Sequence, residues 1–223
     1  LSGNTTGDNN TGIGYGALSS EDSHGKNVAI GYNTLNNQDA GADGYNVAIG
    51  YDVGKAITTG VNNTIVGALA GDALTTGVRN TAIGLGALSS EDTGSRNVAI
   101  GWYALINQNY DGAAYNTAVG YNASGAITTG LYNTVLGGLA LDANTEGSEN
   151  VAIGYQALTS ADSNESRNIA IGAYALQQLN NDSTSIPYNI AIGYAAGQLI
   201  TSGVRNTLIG SLAGDALTTG HYN

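Results

Sequence analysis

The sequence predicts an all-β fold, a parallel β-solenoid of the β-roll or β-helix type with about twelve 17-residue rungs. Three observations predict it: a five-residue motif at near-constant spacing, a four-rung period laid over it, and a composition without bulky gap-fillers. The motif, Asn-x-x-[Ile/Val/Leu]-Gly, begins at Asn10, Asn27, Asn46, Asn63, Asn80, Asn97, Asn116, Asn133, Asn150, Asn168, Asn189 and Asn206, and Asn223 is in place to open another. The intervals run 17, 19, 17, 17, then 17, 19, 17, 17, then 18, 21, 17 and 17 residues. They mark three four-rung modules, about 10–79, 80–149 and 150–222, read as one continuous domain over 1–223. The third motif position follows the same long period. It is Ala at Ala29, Ala48, Ala82 and Ala99, and becomes Ile65, Val135 or Leu208 in the last rung of each module.

Each rung is built in the same order. It opens on Asn (Asn27, Asn46, Asn80, Asn97), which forms side-chain ladders when identical corners lie above one another. A short strand follows, whose side chains alternate between two faces. The second motif residue is β-branched and the fourth aliphatic in all twelve rungs (the fourth as Ile30, Ile49, Ile83, Ile100). These two share a face that is expected to point into the core, leaving the small third residue outside. Gly closes the motif (Gly31, Gly50, Gly84, Gly101), where a corner needs positive φ or a close backbone approach. Seven residues after the Asn comes Ala in ten of twelve rungs, the expected second, tightly packed side. A Thr-Thr-Gly or Ser-containing turn then returns the chain.

Seventeen residues suit two short strands and two turns, or a three-sided coil. One rung cannot bury its own apolar face, so its neighbours supply the core. With no Phe and no Met, that interior is expected to be narrow and regular. The sequence opens mid-turn and stops on the first residue of a rung, so further repeats or domains are expected on either side.

Composition removes several function classes. With 17 acidic against 6 basic residues the net charge is −11, which repels phosphate backbones and anionic lipid. No nucleic acid and no membrane insertion are expected, since no apolar run reaches the length of a span. The absence of Cys excludes disulfides and thiolate metal sites.

The features closest to catalysis are Glu21–Asp22 and Glu91–Asp92, with Asp162 a partial third copy. A hydrolytic pair would flank a cleft, whereas these are adjacent turn residues that recur with the module. Each precedes a cation (Lys26, Arg96, Arg167), so solvated loop ion pairs are expected, with no catalytic residues and no enzyme activity. His24 and His221 lack a nucleophile-and-base arrangement and are read as turn residues. No cofactor is expected. Calcium is the one ion weighed, because acidic, Asn-rich turns carry hard oxygen donors at Asp8, Asp39, Asp43 and Asp182. The regular Asp spacing of a dedicated calcium loop is missing.

For surface binding, Tyr32, Tyr51 and Tyr121 follow the motif Gly, and Trp102 fills the same slot. They read first as an amphipathic stripe sealing a corner or an interchain contact, and second as a sugar-stacking ridge. Tyr110 lies in one of the expanded second-rung loops (36–45, 107–115, 177–188), which vary most between modules and are where specific binding would sit.

NVAIGY…AL and TGVRNTAIGLGAL resemble the head repeats of trimeric autotransporter adhesins, and are also similar to the T-G-x-x-N-T-A-I-G-Y-x-A-L repeats of bacteriophage tail fibres. The likeness covers essentially the whole sequence. It implies a homotrimer of parallel β-rolls, a rigid stalk or head of an extracellular or virion-surface fibre that presents loops to a cell-surface glycan or protein receptor. The adhesin repeat is shorter, near fourteen residues, so the 17-residue rung is closer to the fibre type. A monomeric matrix module, calcium-stiffened or carbohydrate-binding, is the alternative.

Overall fold

The computed structural model describes residues 7–22, 24–161, 164–181 and 187–223. Asp162 and the calcium candidate Asp182 lie outside them. Among the described residues there is no helix, and every regular element is a three-residue strand. The chain divides into two compact units, Leu1–Tyr115 and Asn116–Asn223, and the division falls inside the second four-rung module.

The first unit holds β1 (Thr11–Ile13), β2 (Val28–Ile30), β3 (Val47–Ile49), β4 (Thr64–Val66), β5 (Thr81–Ile83) and β6 (Val98–Ile100). Each pairs with the next in parallel, and motif position faces motif position: Val28 on Val47, Ala29 on Ala48, Ile30 on Ile49. The second unit repeats the plan with β7 (Thr117–Val119), β8 (Thr134–Leu136), β9 (Val151–Ile153), β10 (Ile169–Ile171), β11 (Ile190–Ile192) and β12 (Thr207–Ile209). Each unit is therefore a solenoid of the expected rung length.

The strands are short because left-handed residues bound them on both sides. The residue before each Asn is left-handed (Lys26 at φ 64°, Arg79 at 60°, Arg167 at 62°), and so is the Gly that closes the motif (Gly31 at 137°, Gly84 at 134°). That Gly is needed twice over. Besides its φ, a Cβ on Gly84 would stand 2.3 Å from the carbonyl oxygen of Gly101 in the next rung.

Where a second strand was one expectation, the chain instead makes a run of turns. Residues seven and nine of the rung are left-handed (Asn33 and Leu35, both φ 49°), which curls the backbone out of the extended region. The turns still stack, as in Leu18 N–H to Thr34 O at 3.1 Å and Leu35 N–H to Val53 O at 3.1 Å. The Ala eight residues into the rung is fully buried here (Ala17, Ala70, Ala87, Ala104), as the second packed side requires.

The strand is turned the other way from the sequence expectation. The third motif residue is the buried one: Ala29, Ala48, Ile65, Ala82 and Ala99 are fully buried, and so are Ala118, Ala152, Ala170 and Ala191 in the second unit. The second and fourth residues face out. Ile30 and Ile100 are half-buried, while Ile49 and Ile83 are each 37 % exposed. The physical reason lies across the core. Leu at rung position nine (Leu18, Leu35, Leu88, Leu105) fills the interior and leaves room only for Ala at the strand.

In the first and third modules the long period is a volume exchange, whereas the last rung of the second keeps buried Leu141 at position nine beside Val135 and places buried Asn144 at position twelve. In the third and fourth rungs position nine becomes Gly (Gly54, Gly71), position twelve becomes Ile57 or Leu74, and Ile65 enters from the strand. A Cβ on Gly71 would meet Leu74 Cδ1 at 2.9 Å and Ile65 Cδ1 at 3.3 Å. The second unit does the same with Gly197, Gly214 and Leu208; a Cβ on Gly197 would meet Leu208 Cδ1 at 2.9 Å. Interiors held to close-packed density tolerate only such compensated changes.

Candidate association surface and its polar margins

The corner Asn column fixes the register on which every surface column depends. Asn63 accepts the backbone N–H of Asn80 on Oδ1 at 2.9 Å and donates from Nδ2 to Gly77 O at 2.9 Å. Asn46 and Asn80 do the same one rung away, to Gly60 O and Gly94 O, and Asn27 Oδ1 accepts from Asn46 N–H. Asn27, Asn46, Asn80 and Asn97 are at most 1 % exposed. The ladder thus runs mainly from side-chain oxygen to backbone amide, with amide-to-amide bonds such as Asn133 Nδ2 to Asn116 Oδ1 (3.2 Å) added in the second unit.

With the corner fixed, the outward strand residues fall into two columns per unit. In the first they read Thr11, Val28, Val47, Thr64, Thr81, Val98 and Ile13, Ile30, Ile49, Val66, Ile83, Ile100, and none of these twelve residues is buried. In the second, Val151, Ile169 and Ile190 stand beside Ile153, Ile171 and Ile192. Each sheet therefore presents an in-register apolar strip on its outer face.

An aromatic column flanks that strip after the motif Gly. Tyr15, Tyr32 and Tyr51 stack with ring centroids 5.4 Å apart at each step and interplanar angles of 15° and 8°. Tyr32 is 45 % and Tyr51 55 % exposed, so this stack is a surface feature. Trp102 lies 4.9 Å from Tyr103, and in the second unit Tyr121 is exposed while Tyr155, Tyr174 and Tyr194 meet edge to face. Tyr110 belongs to no column. It is half-buried against Gly112 in its loop.

On the other side of the strand, the left-handed residue before each Asn forms a column of cations and tyrosines, interrupted by Asn9, Asn62 and Glu149. Lys26 stands 5.1 Å from the Tyr45 ring and Arg96 5.4 Å from Tyr115; in the second unit Arg167 lies over Tyr188 and Arg205 over Tyr222. Sequence reasoning missed this column. The signal was available, since five of the six Lys and Arg occupy that single rung position.

The turn carboxylates do not form the expected solvated pairs. Glu21 and Glu91 are fully buried, because rung position twelve faces the core. Glu91 accepts Gly94 N–H on Oε1 at 2.7 Å and Tyr110 N–H on Oε2 at 3.3 Å. Burial pushes its carboxyl up to about 7, against the hydrogen bonds that hold it down. Burial also raises Glu21, and nearby Asp39 and Asp22 add to the rise. The cations pair elsewhere: Lys26 with Asp43 at 2.5 Å and Arg167 with Glu149 at 3.0 Å. The expanded loops are anchored from within by Gln38 and Gln108, both fully buried, with Gln38 Oε1 accepting from Asn46 Nδ2 at 2.9 Å.

Of the calcium candidates, Asp39 converges with Glu21, Asp22 and His24, their ligand atoms lying within 4.8 Å of one another. Asp43 is engaged by Lys26, and exposed Asp8 lies outside that group. Among the described residues no helix is long and apolar enough to cross a membrane. Comparison with known proteins returns no match: no family model fits the chain, and no curated protein and no solved structure matches it.

Proposed function

We propose that the chain is a structural and adhesive segment of an extracellular or virion-surface fibre, assembled as three copies packed side by side, and that it is not an enzyme. The observation that carries this reading is the outward apolar strip on each sheet. A strip of Val, Ile and Thr facing water on every rung is unlike scattered surface apolar residues and marks an association surface. Burying each half-exposed aliphatic there is worth about 1 kcal/mol, and flanking polar and aromatic columns are the usual surround of such a core. A second copy is the fitting occupant, because a flat, in-register strip complements itself. The number three rests on the resemblance of the repeats, as does the surface location. Host or matrix attachment falls to the exposed aromatic stack and the expanded loops.

The alternative, a monomeric matrix module, has one observation in its favour, the convergence of Asp39 with Glu21, Asp22 and His24. Light scattering separates the two readings. A mass three times the 22.4 kDa chain, unchanged by a chelator and reduced to a single chain by Ile49→Lys with Ile83→Lys, is the expected result. A monomeric wild-type mass sinks the fibre reading, and chelator-induced unfolding favours the matrix module.

A further inference from the structure

The cation column is uneven. Lys26 is neutralised by Asp43 and Arg167 by Glu149, and Arg205 donates from Nη1 to the Tyr222 hydroxyl at 2.8 Å. Arg79 and Arg96 differ. They occupy consecutive rungs and both are exposed. Among the described residues neither has a carboxylate within ion-pairing distance, although the chain carries 17 acidic residues. Their backbones are fixed in the same way: Arg79 N–H donates to Val61 O and Arg96 N–H to Val78 O, each at 3.1 Å, and both are left-handed at φ 60° and 63°. Parallel rungs stand about 4.8 Å apart, so the two residues leave the backbone from equivalent positions one rung apart. Packing of the Arg96 guanidinium over the Tyr115 ring, 5.4 Å from its centroid, uses a face of the guanidinium plane and leaves its N–H edge available.

We propose that Arg79 and Arg96 form a binding site for a single oxyanion, a sulfate or carboxylate, carried on a saccharide. Two adjacent guanidinium forks match the paired oxygens of such a group, and charge-assisted bonds of this kind are the stronger class. The overall charge of −11 disfavours densely charged polyphosphates and favours a ligand with a single charge, and the choice of a saccharide as its carrier rests on the adhesive function proposed above. The site requires no self-association, since both arginines belong to one chain.

The test is calorimetric titration of the intact protein with a monosulfated oligosaccharide, its unsulfated parent and sodium sulfate. The sulfated sugar is expected to bind, more weakly as salt rises, with the parent sugar and free sulfate each at least tenfold weaker. Arg79→Gln with Arg96→Gln is expected to weaken binding at least tenfold, while Arg205→Gln in the same column leaves it unchanged. An unchanged titration in the double variant, or no binding by wild type, overturns the site. Free sulfate binding as tightly as the sugar overturns the saccharide assignment. The mass of the double variant stays at the wild-type value, which separates this site from the association surface.

Discussion

Removing one rung of the Asn ladder gives a loss that can be worked from the geometry. Asn63→Ala deletes the acceptor for Asn80 N–H and the donor to Gly77 O, both at 2.9 Å in a fully buried corner. Leaving a buried backbone donor or acceptor unpaired costs roughly 1–3 kcal/mol, so the two together cost about 2–6 kcal/mol. In a solenoid each rung contacts only its neighbours, and the damage should concentrate there. Urea unfolding at fixed protein concentration measures the total, and native-state hydrogen exchange locates it at the Asn80 amide. Asn63→Asp keeps an oxygen for Asn80 but offers no donor to Gly77 and buries a charge, so it should not rescue stability at neutral pH. A loss below about 0.5 kcal/mol with Asn80 still protected would refute the ladder as the source of register.

Two further outcomes follow from the same geometry. Gly84→Ala must place its Cβ 2.3 Å from Gly101 O at a φ of 134°, so the variant should fold poorly or lose about 3 kcal/mol or more, read by thermal melting; a melt like wild type would mean the rungs do not approach so closely. Glu91 holds its proton up to about 7 when folded, against 4.5 when free, so between those values the folded chain binds the proton more tightly and stability falls as pH rises. Glu91→Gln should flatten that slope, and an unchanged slope would exclude Glu91 as its source.

The rung length and the parallel register were legible because identical residues recur where neighbouring rungs must align. Asn27, Gly31 and Ala70 occupy positions where only a small set of residues fits. The direction in which the strand faces was not legible from alternation alone. A period of two defines two faces without saying which is buried, and side-chain size pointed the wrong way, since Ile30 and Ile49 are larger than Ala29 and Ala48. The missing clue lay in covariation along the chain: Ile65 and Leu208 appear in the rungs where Gly71 and Gly214 open space, which only a shared interior explains. The buried state of Glu21 and Glu91 was hidden for a related reason. Their sequence neighbourhood is polar, while the same rung position is apolar elsewhere in their modules, at Ile57 and Leu74 in that of Glu21 and at Ile127 in that of Glu91.

The candidate surface was half visible. Tyr32, Tyr51, Trp102 and Tyr121 were found from their place after the motif Gly. The cation column was overlooked because Lys26, Arg96 and Arg167 were matched to carboxylates close in sequence, whereas stacking gives each residue a partner one rung away. Lys26 reaches Asp43 and Tyr45, which lie 17 and 19 residues on.

The association strip is tested most directly by thiol labelling, because the chain has no cysteine of its own. A thiol placed by Ile83→Cys on the outer face of β5 is compared with one placed by Thr76→Cys in an exposed turn. In the native protein the I83C thiol should react at least tenfold more slowly than the T76C thiol, and the two rates should converge when Ile49→Lys is added. Equal rates in the native protein would mean that the strip faces water, and would contradict the proposed assembly.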